Sequence, residues 1–458
     1  MEAIKASLSQ NMVRRLHEVA DGLLKVYQTL VRMQYLEDSW IDEGLHDVDA
    51  LIPAYRRAGF TNSIIYLYSI LPYVNDHGNS GIDMVFGGTF IDFRYGEDFE
   101  GVRNPMYANE GEDEDFLRPW MTTLSGIGND RPAMIYDARR HVIGIFRLVD
   151  SGSWDLNIGV DDDDWEYPSD EEGSDDDELD QYNNWDEMDS RPAPAVLRDI
   201  ALWYENLTVL PGGGELSGGG VWEPTFVKPL YIKHGWPHDF KAMDFLVDQV
   251  KSWEAQRASD DPKKGLLAKI TRWRRLLQMK PPPPKDSPAP DESVADFWVC
   301  RWMEFRNEQA RIDIPAMLQE AERAYEIPVD PQVRLLGHLR RGIHRWEKHL
   351  TGVGNAMRND KPDSAQIRRA YTEKYLEVQK RAYEECKAEL GGDAFFAERN
   401  MAEADLVEAV APSPKPAEQE RSRRYAGAIR EWLVQVPEEA KLARELAEDM
   451  MVHHEARR

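Results

Sequence analysis

Two stretches near the middle of the chain, Pro132-Ala-Met-Ile-Tyr-Asp137 and Val142-Ile-Gly-Ile-Phe-Arg-Leu148, are rich in β-branched and aromatic residues. The polar residues 138–141 separate them, and this arrangement predicts a β-hairpin. A long acidic stretch follows, and from Val196 to Leu207 apolar residues recur at helical spacing. The order strand, turn, strand, acidic loop, helix therefore predicts the centre of an α/β domain.

The N-terminal part of the chain shows mainly helical periodicity. Apolar residues keep a three- and four-residue spacing over 3–36, 45–58 and 62–74, which predicts three amphipathic helices. From Phe90 to Tyr95 the pattern alternates between apolar and polar residues, which predicts a strand. We therefore expect an initial helical layer that packs on a small sheet.

The C-terminal part is almost entirely helical in pattern. Residues 222–231 contain two prolines and are predicted to be extended, whereas 240–253 and the basic stretch 265–278 predict helices. Prolines then dominate 281–290 and predict a stiff spacer, beyond which Glu-, Lys- and Arg-rich helical patterns run to the end. The predicted fold class is α+β: N-terminal helices on a small, mostly antiparallel sheet with a long acidic loop, followed by an all-α C-terminal domain.

These shifts in pattern predict four regions. They are an N-terminal amphipathic helix at 1–40, an α/β domain at 41–255 with an acidic insert at 150–190, a basic helix and polyproline linker at 256–292, and a helical domain at 293–458.

Charge is distributed very unevenly along the 458 residues, whose formal net charge is −27. Residues 301–458 are nearly neutral, and 17 acidic residues lie between 151 and 190, where no basic residue occurs. A negative field of this strength repels nucleic-acid backbones and anionic membranes, so residues 1–300 are poor candidates for binding either. A basic protein is the partner that this charge favours.

The cysteine content and the hydropathy pattern predict a soluble protein in a reducing compartment. The two cysteines, Cys300 and Cys386, form no CxxC pair and no disulfide framework. The N-terminus has no apolar core of the signal-peptide type, and no run of 18 apolar residues occurs. We expect a cytoplasmic location, with the nucleus as the alternative.

The acidic insert is the first candidate binding site, because aromatic residues are interspersed among its carboxylates. A strip of this composition can dock a Lys/Arg-rich protein through charge and cation–π contacts, although a solvated, passive insert gives the same composition. A calcium site is a third interpretation, but no window matches an EF-hand loop. The candidate binding residues are Trp154, Asp161, Asp162, Asp163, Asp164, Trp165, Asp175, Asp176, Asp177, Glu178 and Trp185.

An enzyme is the main alternative, with a site near His234, His238 and Asp239. The two histidines have a spacing that suits a metal ion on a helix, but Gly235 and Pro237 disfavour a helix there. The motifs GxGxxG, GxxxxGK[ST], GxSxG and HExxH are absent, so the sequence predicts no catalytic residue, no metal and no cofactor.

Residues 45–210 resemble the SUKH superfamily, the α/β fold shared by bacterial toxin-immunity proteins and yeast regulators of cell-wall synthesis. The resemblance rests on helices that end near Leu71-Pro72, the predicted strand Phe90–Tyr95, the hairpin and a closing helix that contains Trp203-Tyr204. The whole chain also resembles long acidic proteins of filamentous fungi, most clearly at Lys233-His-Gly-Trp-Pro-His238. The resemblance implies a non-enzymatic domain that binds other proteins.

The sequence therefore predicts a non-enzymatic, intracellular interaction or regulatory protein whose acidic, aromatic loop docks a basic partner. One variant of this hypothesis and one separate class of function stay open. The acidic strip could instead bind the chain's own basic helix at 263–275, or the C-terminal helices could form a structural scaffold.

Overall fold

The computed structural model of the chain describes thirteen segments of the sequence. They are residues 1–75, 82–94, 99–103, 116–126, 132–147, 153–158, 189–212, 220–259, 262–278, 293–326, 330–356, 362–392 and 415–456. These residues form two compact units, and each unit combines separate parts of the chain. The first unit contains 1–253 and 342–382, and the second contains 254–341 and 383–458.

The first unit begins with four helices in the region where the apolar periodicity predicts three. They are α1 (Glu2–Ala6), α2 (Gln10–Arg32), α3 (Ile52–Arg57) and α4 (Asn62–Ile70). The predicted helix over 3–36 is divided because Ser9 caps α2, its hydroxyl oxygen accepting the Met12 backbone N–H at 3.1 Å. Every residue of α4 from Ser63 to Ile70 is buried, which explains why the helix contains no charged residue.

A four-stranded antiparallel sheet lies beside these helices in the order β3-β4-β5-β6. Its strands are β3 (Met121–Thr123), β4 (Pro132–Asp137), β5 (Val142–Arg147) and β6 (Arg191–Pro192). The β4–β5 pair, in which Ile135 faces Gly144, confirms the predicted hairpin. A second, two-stranded sheet pairs β1 (Ile41–Asp42) with β2 (Tyr73–Val74).

The helix α6 (Ala193–Glu205) follows β6 directly and packs along α2. Gly22 of α2 allows this approach, because a Cβ atom there would lie 2.8 Å from Cδ1 of Leu197. The buried residues Val196, Leu197 and Ile200 form the apolar face that the spacing predicts. The fold class is therefore α+β, as the sequence predicts.

The strand predicted for Phe90–Tyr95 is wrong over the part of it that the structure describes, 90–94. A single bridge joins the preceding residue, Thr89, to Gly126, and the remaining backbone is irregular. The Phe93 ring stacks on the Tyr68 ring, with 4.0 Å between the ring centroids. The Tyr55 hydroxyl donates a hydrogen bond to the Phe93 carbonyl at 2.8 Å. Side chains rather than a neighbouring strand satisfy this backbone, so the alternating pattern reflects aromatic packing.

The extended structure predicted for 222–231 is also wrong, because α7 (Pro224–Lys233) is helical there. Pro224 lies at the first helical position, where its missing N–H costs no hydrogen bond. Val227, Leu230 and Tyr231 are buried at helical spacing. The prediction of extended structure rested on the two prolines, which this helix accommodates.

The remaining elements of the first unit are α5 (Phe99–Arg103), residues 242–253 of α8 (Ala242–Ser259), and parts of α11 (Pro331–Ala356) and α12 (Pro362–Glu389). Tyr371 of α12 contacts the Trp40 ring at 5.2 Å, and Lys374 forms a 2.7 Å ion pair with Glu37. These contacts group residues 342–382 with the N-terminal part, whereas the sequence places them in the helical domain at 293–458.

The second unit is helical in every residue range that the structure assigns to an element. In addition to the other parts of α8, α11 and α12, it contains α9 (Pro262–Gln278), α10 (Val294–Glu326), α13 (Lys415–Leu433) and α14 (Lys441–Ala456). Trp302 of α10 packs against Trp432 of α13 at 4.9 Å, and Ala443 and Ala447 of α14 complete this core. Trp298, Trp302 and Phe305 of α10 thus belong to this helical core, while the polyproline residues 281–290 lie outside the described residues.

Within the described part of the chain, no helix combines the length and apolarity that are needed to cross a bilayer.

Candidate protein-binding site

The edge strand β6 holds the chain where the described residues resume after the acidic insert. Arg191 pairs with Ile143 and Pro192 with Val142 of β5. The Ala193 N–H then donates to the His141 carbonyl at 2.9 Å and leads the chain into α6. Although β6 is only two residues long, its position is therefore fixed by both the hairpin and the helix.

The Arg191 side chain links the two ends of the acidic insert. Its Nε and Nη2 atoms donate to the two carboxylate oxygens of Asp155 at 2.9 and 2.8 Å, a bidentate pair. Its Nη1 atom donates to Asp199 Oδ2 at 2.8 Å, and Asn157 Nδ2 donates to the same oxygen at 2.8 Å. We call Asp155, Asn157, Arg191 and Asp199 the neck, because the described chain ends at Ile158 and resumes at Asp189 beside it.

The neck is largely buried, and in it one guanidinium pairs with two carboxylates. The Asp155 side chain is fully buried, and those of Asp199 and Arg191 are 12% and 17% exposed. Burial of the guanidinium lowers the Arg191 pKa, but hydrogen bonds to Asp155 and Asp199 outweigh this effect, so the pKa is raised. Arg191 is thus permanently charged and holds two carboxylates that would otherwise repel each other.

Trp154 lies directly beside the neck and is partly open to solvent. Its backbone N–H donates to the Ile145 carbonyl at 2.7 Å, which attaches it to β5. Its ring meets the Phe86 ring edge-on at 5.6 Å, and Phe86 in turn contacts Trp203 of α6. With 38% of its surface exposed, Trp154 is a fixed aromatic contact at the start of the acidic insert.

Of the predicted binding residues, the structure describes Trp154. The others lie outside the described residues: Asp161, Asp162, Asp163, Asp164, Trp165, Asp175, Asp176, Asp177, Glu178 and Trp185. The sequence prediction missed the neck, although one signal was present, because Arg191 is the first basic residue after Arg147. An isolated arginine at the end of so long an acidic stretch indicates that a positive charge pairs with carboxylates at that point.

The alternative site near His234 is organised differently from the prediction. His234 ends α7, is buried, and its Nε2 atom lies 2.9 Å from Asp248 Oδ2, which also accepts a hydrogen bond from Lys233 Nζ at 2.5 Å. His238 and Asp239 are exposed. Burial raises the Asp248 pKa, but the hydrogen bonds from Lys233 and His234 lower it by a larger amount. The pKa of Asp248 is therefore lowered overall. His234 therefore pairs with an acid of α8 and connects two helices.

Among the described residues, no three His, Cys, Asp or Glu side chains converge as a metal site would require. No family model, curated protein or solved structure matches this chain. The resemblance to the SUKH superfamily accordingly stays a prediction.

Proposed function

We propose that this chain is a non-enzymatic protein-interaction protein of the cytoplasm or nucleus, and that its acidic, aromatic insert docks a basic protein partner. The observation that supports this proposal is the neck. Arg191, Asp155 and Asp199 hold both ends of the insert at one place on the sheet, beside the partly exposed Trp154.

A passive insert would need no such attachment, because the entropic cost of closing a loop rises only slowly with its length. Burying three charged groups, in contrast, carries a desolvation cost that is recovered only when the pairing is complete. The neck meets that condition through four hydrogen bonds at 2.8–2.9 Å. The chain thus has a rigid base from which the insert begins.

The composition of the insert supplies the chemistry of recognition. Residues 159–188 contain 15 acidic and no basic residues, together with Trp165, Tyr167, Tyr182 and Trp185. Carboxylates attract a cationic partner over several ångströms and increase its association rate, whereas aromatic rings add contact area and cation–π faces at close range. Binding through such a surface weakens as salt screens the charges.

The test measures the affinity of a fluorescein-labelled, Lys/Arg-rich peptide by fluorescence anisotropy. In one variant Asp161, Asp162, Asp163 and Asp164 are each replaced by Asn. In a charge-matched control, four exposed acids of the second unit are replaced by Gln: Glu438, Glu439, Glu445 and Glu448. We expect binding to the first variant to weaken at least about tenfold, equivalent to about 1.4 kcal/mol, and the control to bind as the native chain does.

Equal affinity of the native chain and both variants would remove the proposal. An equal loss in both variants would also contradict it, because the peptide would then respond only to total charge.

A further inference from the structure

A cavity of about 230 Å³ lies between α1, α2, α4 and the loop that follows β1, within the first unit. The residues that line it include Asp21, Leu24, Glu43, Leu45, Tyr66 and Ile70. The volume is below that of typical drug-sized sites, so it suits a small group or a single side chain.

The floor of this cavity is apolar and the rim is charged. Ala20, Tyr66, Ile70 and Pro72 are buried and provide the floor, and the Tyr66 hydroxyl is fixed by His17 Nε2 at 3.1 Å. Lys5, Asp21 and Glu43 lie at the exposed rim. A ligand with an apolar stem and a charged end therefore matches both surfaces.

The rim favours a positive charge over a negative one. Asp21 and Glu43 contribute two carboxylates, and among the described residues neither forms an ion pair or side-chain hydrogen bond. The Lys5 ammonium lies 5.8 Å from the centroid of the Tyr66 ring, which shows that the ring face accepts a cation. Within the described part of the chain, Lys5 forms no ion pair with either carboxylate.

We propose that this cavity binds a guanidinium or ammonium group on an alkyl stem, from a protein side chain or from a small free amine. Asp21 and Glu43 bind the cation, and the stem lies on Ala20, Ile70 and Pro72. The cavity contains no residue of the acidic insert, because the residues that line it all lie between Lys5 and Pro72.

The test uses two ligands of the same shape, n-butylguanidinium and the neutral n-butylurea. The full-length protein is labelled with ¹³C at its Ile, Leu and Val methyl groups, so that Ile70, Leu24 and Leu45 report binding at this cavity directly. We expect n-butylguanidinium to shift these signals saturably and n-butylurea to leave them unchanged. Equal responses to the two ligands would overturn the proposal.

Variants then assign the charges of the rim. The pair Asp21→Asn and Glu43→Gln should weaken n-butylguanidinium binding at least about tenfold, whereas the equally charge-altered control Glu438→Gln with Glu439→Gln should have no effect. Lys5→Met should leave binding unchanged or tighter, since it removes a like charge. Weaker binding to the Lys5 variant, or unchanged binding to the first pair, would contradict the assignment.

The source of the cation is distinguished by a blocked Ala-Arg-Ala peptide. Tighter binding of this peptide than of n-butylguanidinium would assign the cavity to a protein side chain, and equal binding would assign it to a free amine. Binding here that survives neutralisation of Asp161–Asp164 would separate this site from the acidic insert.

Discussion

At the scale of single residues, Arg191 is the group on which the neck depends. Its replacement by Met leaves the fully buried Asp155 carboxylate without its bidentate partner and close to Asp199. Breaking a buried pair in this way costs about 3–5 kcal/mol, because an uncompensated charge stays buried. We expect Arg191→Met to lower the free energy of opening of β6 and α6 by about 3 kcal/mol, measured by native-state hydrogen exchange.

Arg198 provides a matched control for this prediction. It also lies near Asp199, at 3.6 Å, but its side chain is 68% exposed. Solvent-exposed pairs contribute at most about 1 kcal/mol. Arg198→Met should therefore change the opening free energy little, and a similar loss in both variants would show that the neck has no special role.

His141 gives a pH dependence at the turn of the hairpin. Its Nε2 atom contacts Glu18 Oε2 at 3.0 Å and its Nδ1 atom contacts the Tyr136 hydroxyl at 3.1 Å. Burial lowers the His141 pKa, and the Glu18 carboxylate offsets this only in part. The folded chain thus binds the proton less readily than the unfolded chain, in which the pKa of a histidine is about 6.5.

The lowered pKa of His141 determines how the unfolding free energy changes with pH. The stabilisation from neutral His141 is present above about pH 6.5 and is lost as the pH falls through the lower folded-state pKa. We expect the native chain to lose unfolding free energy, relative to His141→Asn, as the pH falls below about 7.5 towards the lowered folded-state pKa. Asn suits the positive φ of this position, 59°. A difference between the two proteins that stays constant with pH, measured by urea denaturation, would refute the assignment.

At the scale of elements, the contact between α2 and α6 depends on Gly22. A Cβ atom there would lie 2.8 and 3.0 Å from Cδ1 and Cβ of Leu197, which is buried. Gly22→Ala should therefore force the helices apart and destabilise them by about 1–3 kcal/mol, despite the higher helix propensity of alanine. Hydrogen exchange of α2 and α6 would measure this loss.

Gly427 in α13 is the control, because nothing lies within 4 Å of a Cβ atom placed there. Gly427→Ala should raise the free energy of opening of its own helix by up to about 1 kcal/mol, and hydrogen exchange there should become slower. The two substitutions are chemically identical, so opposite signs would isolate the packing effect. Stabilisation by both would show that α2 and α6 adjust to the added methyl group.

The same elements show how much of the fold the sequence could predict. The hairpin 132–147 was predictable, since two runs rich in β-branched and aromatic residues flank a short polar turn and pair with each other. Around Phe93 the alternation of apolar and polar residues also predicted a strand, but the Phe93 side chain packs on Tyr68 rather than facing a strand. In α7 the prolines concealed a helix whose stability comes from burying Tyr231, a tertiary effect that local pattern does not contain.

The candidate site was only partly predictable for a similar reason. Trp154 was identifiable because an aromatic residue in an acidic stretch is unusual. Asp155 and Asp199, in contrast, resemble ordinary acidic residues until Arg191 is placed between them. That placement requires β6 to pair with β5 across a gap of more than forty residues in sequence, and such long-range pairing leaves no periodic signal.

At the scale of the whole molecule, the acidic charge follows the order of the chain, whereas the compact units do not. The acidic residues are concentrated in one insert, while each compact unit combines distant parts of the chain. Residues 342–382 belong to the first unit through aromatic contacts such as Trp40 with Tyr371. A boundary drawn from composition alone follows the chain and therefore cannot detect this grouping.

The most direct test of the proposed function is affinity capture from a cell lysate with three immobilised full-length proteins: the native chain, the chain with Asn at Asp161–Asp164, and the charge-matched control with Gln at Glu438, Glu439, Glu445 and Glu448. Bound proteins are eluted by a salt step and identified. We expect a specific set of basic proteins to be retained by the native chain and the control, and to be lost from the variant with the neutralised insert. Retention of the same proteins by all three would contradict the proposal that the acidic insert is the docking surface.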